Sequence, residues 1–192
     1  MKMKTMIETL KKATRELHEQ VEQENLARFI MDYSIDEATY KLLLLQNYVA
    51  YKTTEEEIAR HLPFYEGKKH QELAKDLEQL NVPVSLHSFE GDFRCQTRPQ
   101  AYGAAYVVEG SALGGMVLAR NVTRCEKLSH INSHHFFNGD QNNITAWKKF
   151  KEELSLQEFS EEEKEQATQM AKATFRYFRK VFQTGFSVAA VK

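Results

Sequence analysis

Cysteine is scarce in this chain: among 192 residues only Cys95 and Cys125 occur, with no C-x-x-C and no metal-like spacing. That excludes a disulfide framework and fits a reducing interior. The three prolines build no Pro-rich linker, and no repeat or low-complexity run divides the sequence, so a single domain is expected. An excess of one charge sign is also lacking. With 26 basic and 27 acidic residues the formal charge is -1, which gives no overall reason to expect nucleic acid or a membrane surface as partner. The opening M-K-M-K-T-M-I-E-T-L-K-K has no apolar core long enough for a secretory signal, and a cytoplasmic location is expected. The stretch nearest to a membrane span, Ala101–Ala119, carries Glu109 at its centre with no second span to shelter it, so it is read as a buried core helix. No G-x-S-x-G, Walker-type loop or Rossmann glycine motif occurs, leaving hydrolase and nucleotide-driven chemistry without support.

What is present is helical periodicity. Ile7, Leu10, Thr14, Leu17 and Val21 recur at three- and four-residue steps and predict an amphipathic helix from about Thr5 to Gln23. Ser34 with Glu37 reads as a capping box opening a long helix toward Arg60. A more polar helix is expected from about Lys68 to Leu80, followed by a loop over Val82–Arg98. Pro99 suits the first position of a further helix that runs past Arg120 to about Lys127. Turn residues at Asn138–Asn143 precede a helix at about Ile144–Leu154, and Ser160 with Glu163 caps a last helix that ends near Thr184, with Gly185 as its stop and a loose tail beyond. Six or so helices are expected to form one all-α, single-domain bundle.

The Pro99–Arg120 helix contains Gly103, Gly110, Gly114 and Gly115. Each glycine inside a helix costs about 1 kcal/mol relative to alanine. Two arrangements offset such a penalty: tight packing on a neighbouring helix, or a flat ligand pressed against bare backbone. The glycines extend over more than one helical crossing needs, which favours the ligand.

Four groups carry candidate chemistry. His18 sits on the edge of the first apolar stripe, where a helix would fix the direction of a metal-binding imidazole; Glu22, one turn later, is placed to set its tautomer. Lys11, Thr14 and Arg15 lie on the same flank and suit an anionic group, while Lys148 and Lys151 flank Phe150 in a second basic patch. Each of these also has a plain reading as packing or solvated charge. Glu126, His130 and His134, at four-residue spacing, would align as a metal site if the helix extended that far.

Two segments together resemble the haem oxygenase family. L-K-K-A-T-R-E-L-H-E-Q-V-E, Leu10–Glu22, is similar to its proximal helix, and Y-V-V-E-G-S-A-L-G-G, Tyr106–Gly115, is similar to the distal helix of its bacterial, biliverdin-producing branch. F-F-N-G at Phe136–Gly139 and W-K-K-F at Trp147–Phe150 follow in the expected order. The resemblance implies haem held between the first helix and the glycine helix, with iron on His18, Glu22 as its acidic partner, and Lys11, Arg15 and Lys151 toward the propionates. Phe175 would form an aromatic wall, and Gly110, Ser111, Gly114 and Gly115 the distal face. Animal members carry an aspartate where this chain has Ser111, and a hydroxyl holds a water without supplying charge.

The implied reaction opens haem to biliverdin, carbon monoxide and ferrous iron, using O2 and electrons from a separate donor of ferredoxin or reductase type. A neutral histidine ligand gives no thiolate push, and the glycine segment has no histidine or arginine to pull the oxygen–oxygen bond apart. No flavin or nicotinamide site is legible in the sequence. Two other readings stand beside this one: a non-catalytic haem carrier, and a non-haem metal oxidase using Glu126, His130 and His134.

Overall fold

The computed structural model describes residues 5–84 and 92–186. Among them the chain is all-helical, without strands, and forms one domain. Helix α1 (Met6–Glu24) opens on a reciprocal cap: the Thr5 hydroxyl accepts from the Glu8 amide and the Glu8 carboxylate accepts from the Thr5 amide. Its stripe buries Leu10, Thr14 and Val21. A short helix α2 (Arg28–Met31) follows, which the periodicity does not reveal; four residues are too few to show a period. Asn25 starts that turn by accepting from the Ala27 amide at 2.8 Å.

Helix α3 (Glu37–His61) is the buried centre of the bundle. Its cap is Asp36, whose carboxylate accepts from the Thr39 amide at 2.8 Å, and not Ser34 as the S-x-x-E spacing predicts. Asp32 explains the difference, because its carboxylate accepts from both the amide and the hydroxyl of Ser34 in a local turn. Helix α4 (Lys69–Gln79) matches its expected span closely. Within the expected loop, Val82, Phe93 and Cys95 are buried, whereas Leu86 and Phe89 fall outside the described residues.

The glycine-bearing segment is two helices. α5 (Arg98–Gly110), capped by Thr97, stops at Ser111, and α6 (Ala112–Val122) begins immediately after it. The Ser111 hydroxyl donates back to the Val108 carbonyl at 2.7 Å, the kind of local bond that competes with the helix ladder and bends it. Nor does the helix reach Lys127. Thr123 bonds back to the Arg120 carbonyl at 3.3 Å and Cys125 is extended, so residues 126–128 form a separate 3-10 turn.

Helix α7 (Gln141–Ser155), capped by Asp140, leads to α8 (Glu161–Phe182), which starts on the expected Ser160–Glu163 capping box and ends at Gln183. Of the tail expected to be loose from about residue 185, Phe186 instead packs against the hydrophobic core, and residues 187–192 lie outside the described residues. α8 packs against α1, α3 and α5. Its buried stripe includes Ala171, Phe175, Phe178 and Phe182, each large side chain contributing roughly 1.5–3 kcal/mol. Arg179 fastens α1 to this helix through a bidentate pair with Glu24, its Nε lying 2.8 Å from Oε2 and its Nη2 2.6 Å from Oε1.

Candidate functional site

One wall is α1. His18 has a side chain that is 54% exposed, and its ring meets Phe175 of α8 edge-on, centroids 5.7 Å apart at 87°. Nδ1 lies 3.6 Å from the Glu22 carboxylate, an electrostatic contact longer than a direct hydrogen bond. Nε2 has no protein partner among the described residues. The ring is therefore oriented from behind and from one side, with a nitrogen left for a ligand. Lys11 and Arg15 are exposed on the same helix, Arg15 resting on Glu19 at 3.1 Å. Thr14 turns inward instead: its hydroxyl donates to the Leu10 carbonyl at 2.8 Å and faces the hydroxyl of Tyr106 on α5.

The second edge is α7, which packs against α1, α5 and α6. Trp147 stacks on Phe150 with 5.9 Å between centroids and approaches Tyr106 at 6.0 Å. The Lys151 ammonium lies 5.3 Å over the Trp147 ring, a cation–π contact that holds the charge at this edge. Trp147 is the chain's single tryptophan, and sequence patterning alone assigns it no role.

The glycines divide by what surrounds them. A β-carbon on Gly103 would sit 2.0 Å from the Ala167 carbonyl oxygen, so this glycine exists for close approach of α5 to α8. On Gly110 it would meet only Trp147, at 3.9 Å. On Gly114 or Gly115 it would meet nothing within 4 Å. Both explanations of the glycine pattern are thus realised, at opposite ends of the segment. Around the second pair, Leu113 and Val117 are also exposed, giving α6 an apolar, side-chain-poor surface.

Behind the helix break lies a polar cluster that the sequence reading misses. Glu109 is 6% exposed; one carboxylate oxygen accepts from the Tyr65 hydroxyl and from the Lys69 ammonium, both at 3.0 Å, and the other has no partner. Glu55, 1% exposed, accepts from the amides of Lys69 and His70 and pairs with the His70 ring. Tyr51 faces the Ser111 hydroxyl, and burial, reinforced by Glu55 and Glu109, pushes its phenol well above the ordinary range. The E-G-S triplet beside the helix break was the available signal, but Lys69 is 40 positions away and no spacing rule connects them.

The expected alignment of Glu126, His130 and His134 does not form. Helix α6 ends before it could carry them, His130 bonds to Glu37 at 2.8 Å, and His134 bonds to the Tyr40 hydroxyl at 2.7 Å. Among the described residues no group of three or more His, Cys, Asp or Glu side chains could hold a metal ion. Nor is any described helix long and apolar enough to cross a membrane.

What these helices offer a ligand is an imidazole nitrogen without a protein partner among the described residues on α1, bare backbone on α6, and cations on α1 and α7. No curated protein matches the sequence. Solved structures that share the fold include three haem oxygenases. A haem oxygenase from Neisseria meningitidis, determined with NO and CO bound, aligns with a TM-score of 0.71 and 21% identity over 93% of this chain and 90% of that one. The haem oxygenase of Leptospira interrogans aligns at 0.71 and 18%, covering 93% and 98% of the two chains. Haem oxygenase-1 of the cyanobacterium Synechocystis, in complex with haem, aligns at 0.72 and 16%, covering 93% and 91%. The family profile described as Heme oxygenase matches residues 4–184, and the chain belongs to that family.

Proposed function

We propose that the protein is a haem oxygenase that opens haem to biliverdin with release of carbon monoxide and ferrous iron, consuming O2 and electrons from a separate donor of ferredoxin or reductase type. The observation that supports this reading is the oriented, half-exposed imidazole of His18 on α1, to which α6 adds the bare backbone of Gly114 and Gly115 with open space about each. Bound haem supplies the oxygen chemistry and is itself the molecule consumed.

The chain's own residues hold and orient it. His18 Nε2 takes the iron, with Glu22 beside Nδ1 maintaining the tautomer that leaves that nitrogen's lone pair free. Phe175 backs the ring with an edge-on contact. Lys11 and Arg15 from α1 and Lys151 from α7 take the propionates, as charge-assisted donors at an edge open to water. Gly110, Ser111, Gly114 and Gly115 form the distal face, where backbone approaches the macrocycle closely and the Ser111 hydroxyl holds water. The neutral His18 imidazole would give no thiolate push, and the Gly110–Gly115 segment presents no histidine or arginine to pull on an oxygen–oxygen bond, a combination that would favour oxidation of the ring edge.

The test is turnover of hemin under reductant and air. Conversion to a bile pigment with loss of the haem spectrum is expected; haem that survives intact identifies a carrier and refutes the enzyme.

A further inference from the structure

A cavity of about 560 Å³ lies behind the helix break, lined by Glu109, Ser111, Gly115, Tyr65, Lys69 and Phe136 among others. Glu109 contributes to this lining, and one of its carboxylate oxygens is buried with no hydrogen-bond partner among the described residues. An acceptor so buried and unmatched bears its desolvation cost in full, and a water admitted from the cavity by a small shift of its lining is the complement that relieves it. The other oxygen is held by Tyr65 and Lys69, and the Lys69 side chain is only 11% exposed. An ion pair so enclosed keeps its field inside the protein instead of losing it to solvent.

We infer that Glu109 and Lys69 are a positioning pair, which sets the electrostatic field at the Ser111 hydroxyl and orders the water that reaches the distal face. The inference rests on haem binding as proposed above. Tyr51 is the link, since its hydroxyl faces Ser111 and feels both Glu55 and Glu109. Ser111 lacks charge, and Glu109, two residues earlier on the opposite side of the break, supplies it without placing a carboxylate against the macrocycle. Lys69 balances that charge.

The groups facing Glu109 are Tyr51 and Glu55 from α3, Tyr65 from the connection to α4, and Lys69 from α4 itself. Across the cavity stand His135 and Asp140 from the segment before α7 and Lys149 and Glu153 from α7, with Glu66, Lys68 and Glu72 at its α4 side. These remain fixed in the variants proposed, so differences between variants report the pair.

The experiment is a spectroscopic pH titration of the ferric haem complex of the full chain, reading the midpoint of its acid-to-alkaline change in wild type, Glu109→Gln, Lys69→Met and the double variant. Removing the buried negative charge is expected to lower the midpoint and removing the positive charge to raise it. A shift of about half a pH unit or more fits one uncompensated charge acting across a helix diameter. The double variant returns toward wild type. Opposite shifts that cancel are a signature that general loosening of the fold does not produce. Should Lys69→Met fail to fold, Tyr65→Phe removes one donor from Glu109 without altering charge and raises the midpoint by a smaller amount. Unmoved midpoints, or shifts of the same sign in both single variants, overturn the inference while leaving haem binding intact. Absence of any haem spectrum in the wild type overturns the functional reading and this inference with it.

Discussion

Gly103 and Ala167 bring α5 and α8 into backbone contact, so close that a methyl group on the glycine would lie 2.0 Å from the alanine's carbonyl oxygen. Backbone cannot rotate away as a side chain can. Gly103→Ala is therefore expected to destabilise the fold by about 2 kcal/mol or more, even after its gain in helix propensity. Urea unfolding of the haem-free protein measures this, and an unchanged midpoint would refute the packing role.

Gly114→Ala is expected to behave in the reverse way. Its new methyl group meets nothing, so the haem-free protein gains up to about 1 kcal/mol from helix propensity. The same methyl group intrudes where the macrocycle is proposed to lie, and hemin affinity falls about tenfold, a loss near 1.4 kcal/mol. Quenching of Trp147 fluorescence reports the affinity. A variant both more stable and equally good at binding hemin would contradict the distal placement.

The propionate reading predicts graded electrostatic losses. Lys11→Gln, Arg15→Gln and Lys151→Gln each remove a charge at a solvent-facing edge, where one contact is worth about 0.5–1 kcal/mol, so each weakens hemin binding roughly two- to fivefold. The effect diminishes at high salt. Hemin dimethyl ester, lacking the carboxylates, should be insensitive to all three substitutions; equal losses with the ester would reject the assignment.

Stability should fall on mild acidification. Burial holds the His134 ring below its ordinary value of 6.5, with His135 adding to the effect, while the Tyr40 hydroxyl bonds to it at 2.7 Å. A histidine depressed in the folded state takes up its proton first in the unfolded chain, so stability declines as pH drops below about 6.5 toward the folded value, by at most about 1.4 kcal/mol per pH unit. Urea midpoints at pH 7.5 and 5.5 should converge in His134→Gln relative to wild type. A second decline belongs to Glu24, which its hydrogen bonds from Arg179 hold below 4.5. Its contribution is complete above that value and is lost as pH falls through the lower, folded one.

Much of this molecule is legible from spacing. The reciprocal caps at Thr5–Glu8 and Ser160–Glu163, and the stripes of α1 and α8, arise from interactions within four residues, and the sequence displays them directly. The Ser34 cap fails because Asp32, two positions earlier, captures the serine, a competition that a four-residue template does not contain. His18, Glu22 and the glycines are visible as candidates. Their sorting is not: only the distance to Ala167, in another helix, separates Gly103 from Gly114 and Gly115. The same holds for Thr14, turned toward Tyr106, and for Glu109 with Lys69, partners brought together by the packing of α4 beside α3 and α5.

The iron ligand is the point on which the account turns. Low-temperature EPR and optical spectra of the ferric hemin complex should show axial histidine in the wild type and its loss in His18→Ala, with added imidazole restoring the original signature. An unchanged axial histidine in His18→Ala would contradict the account, because the iron would then be held elsewhere.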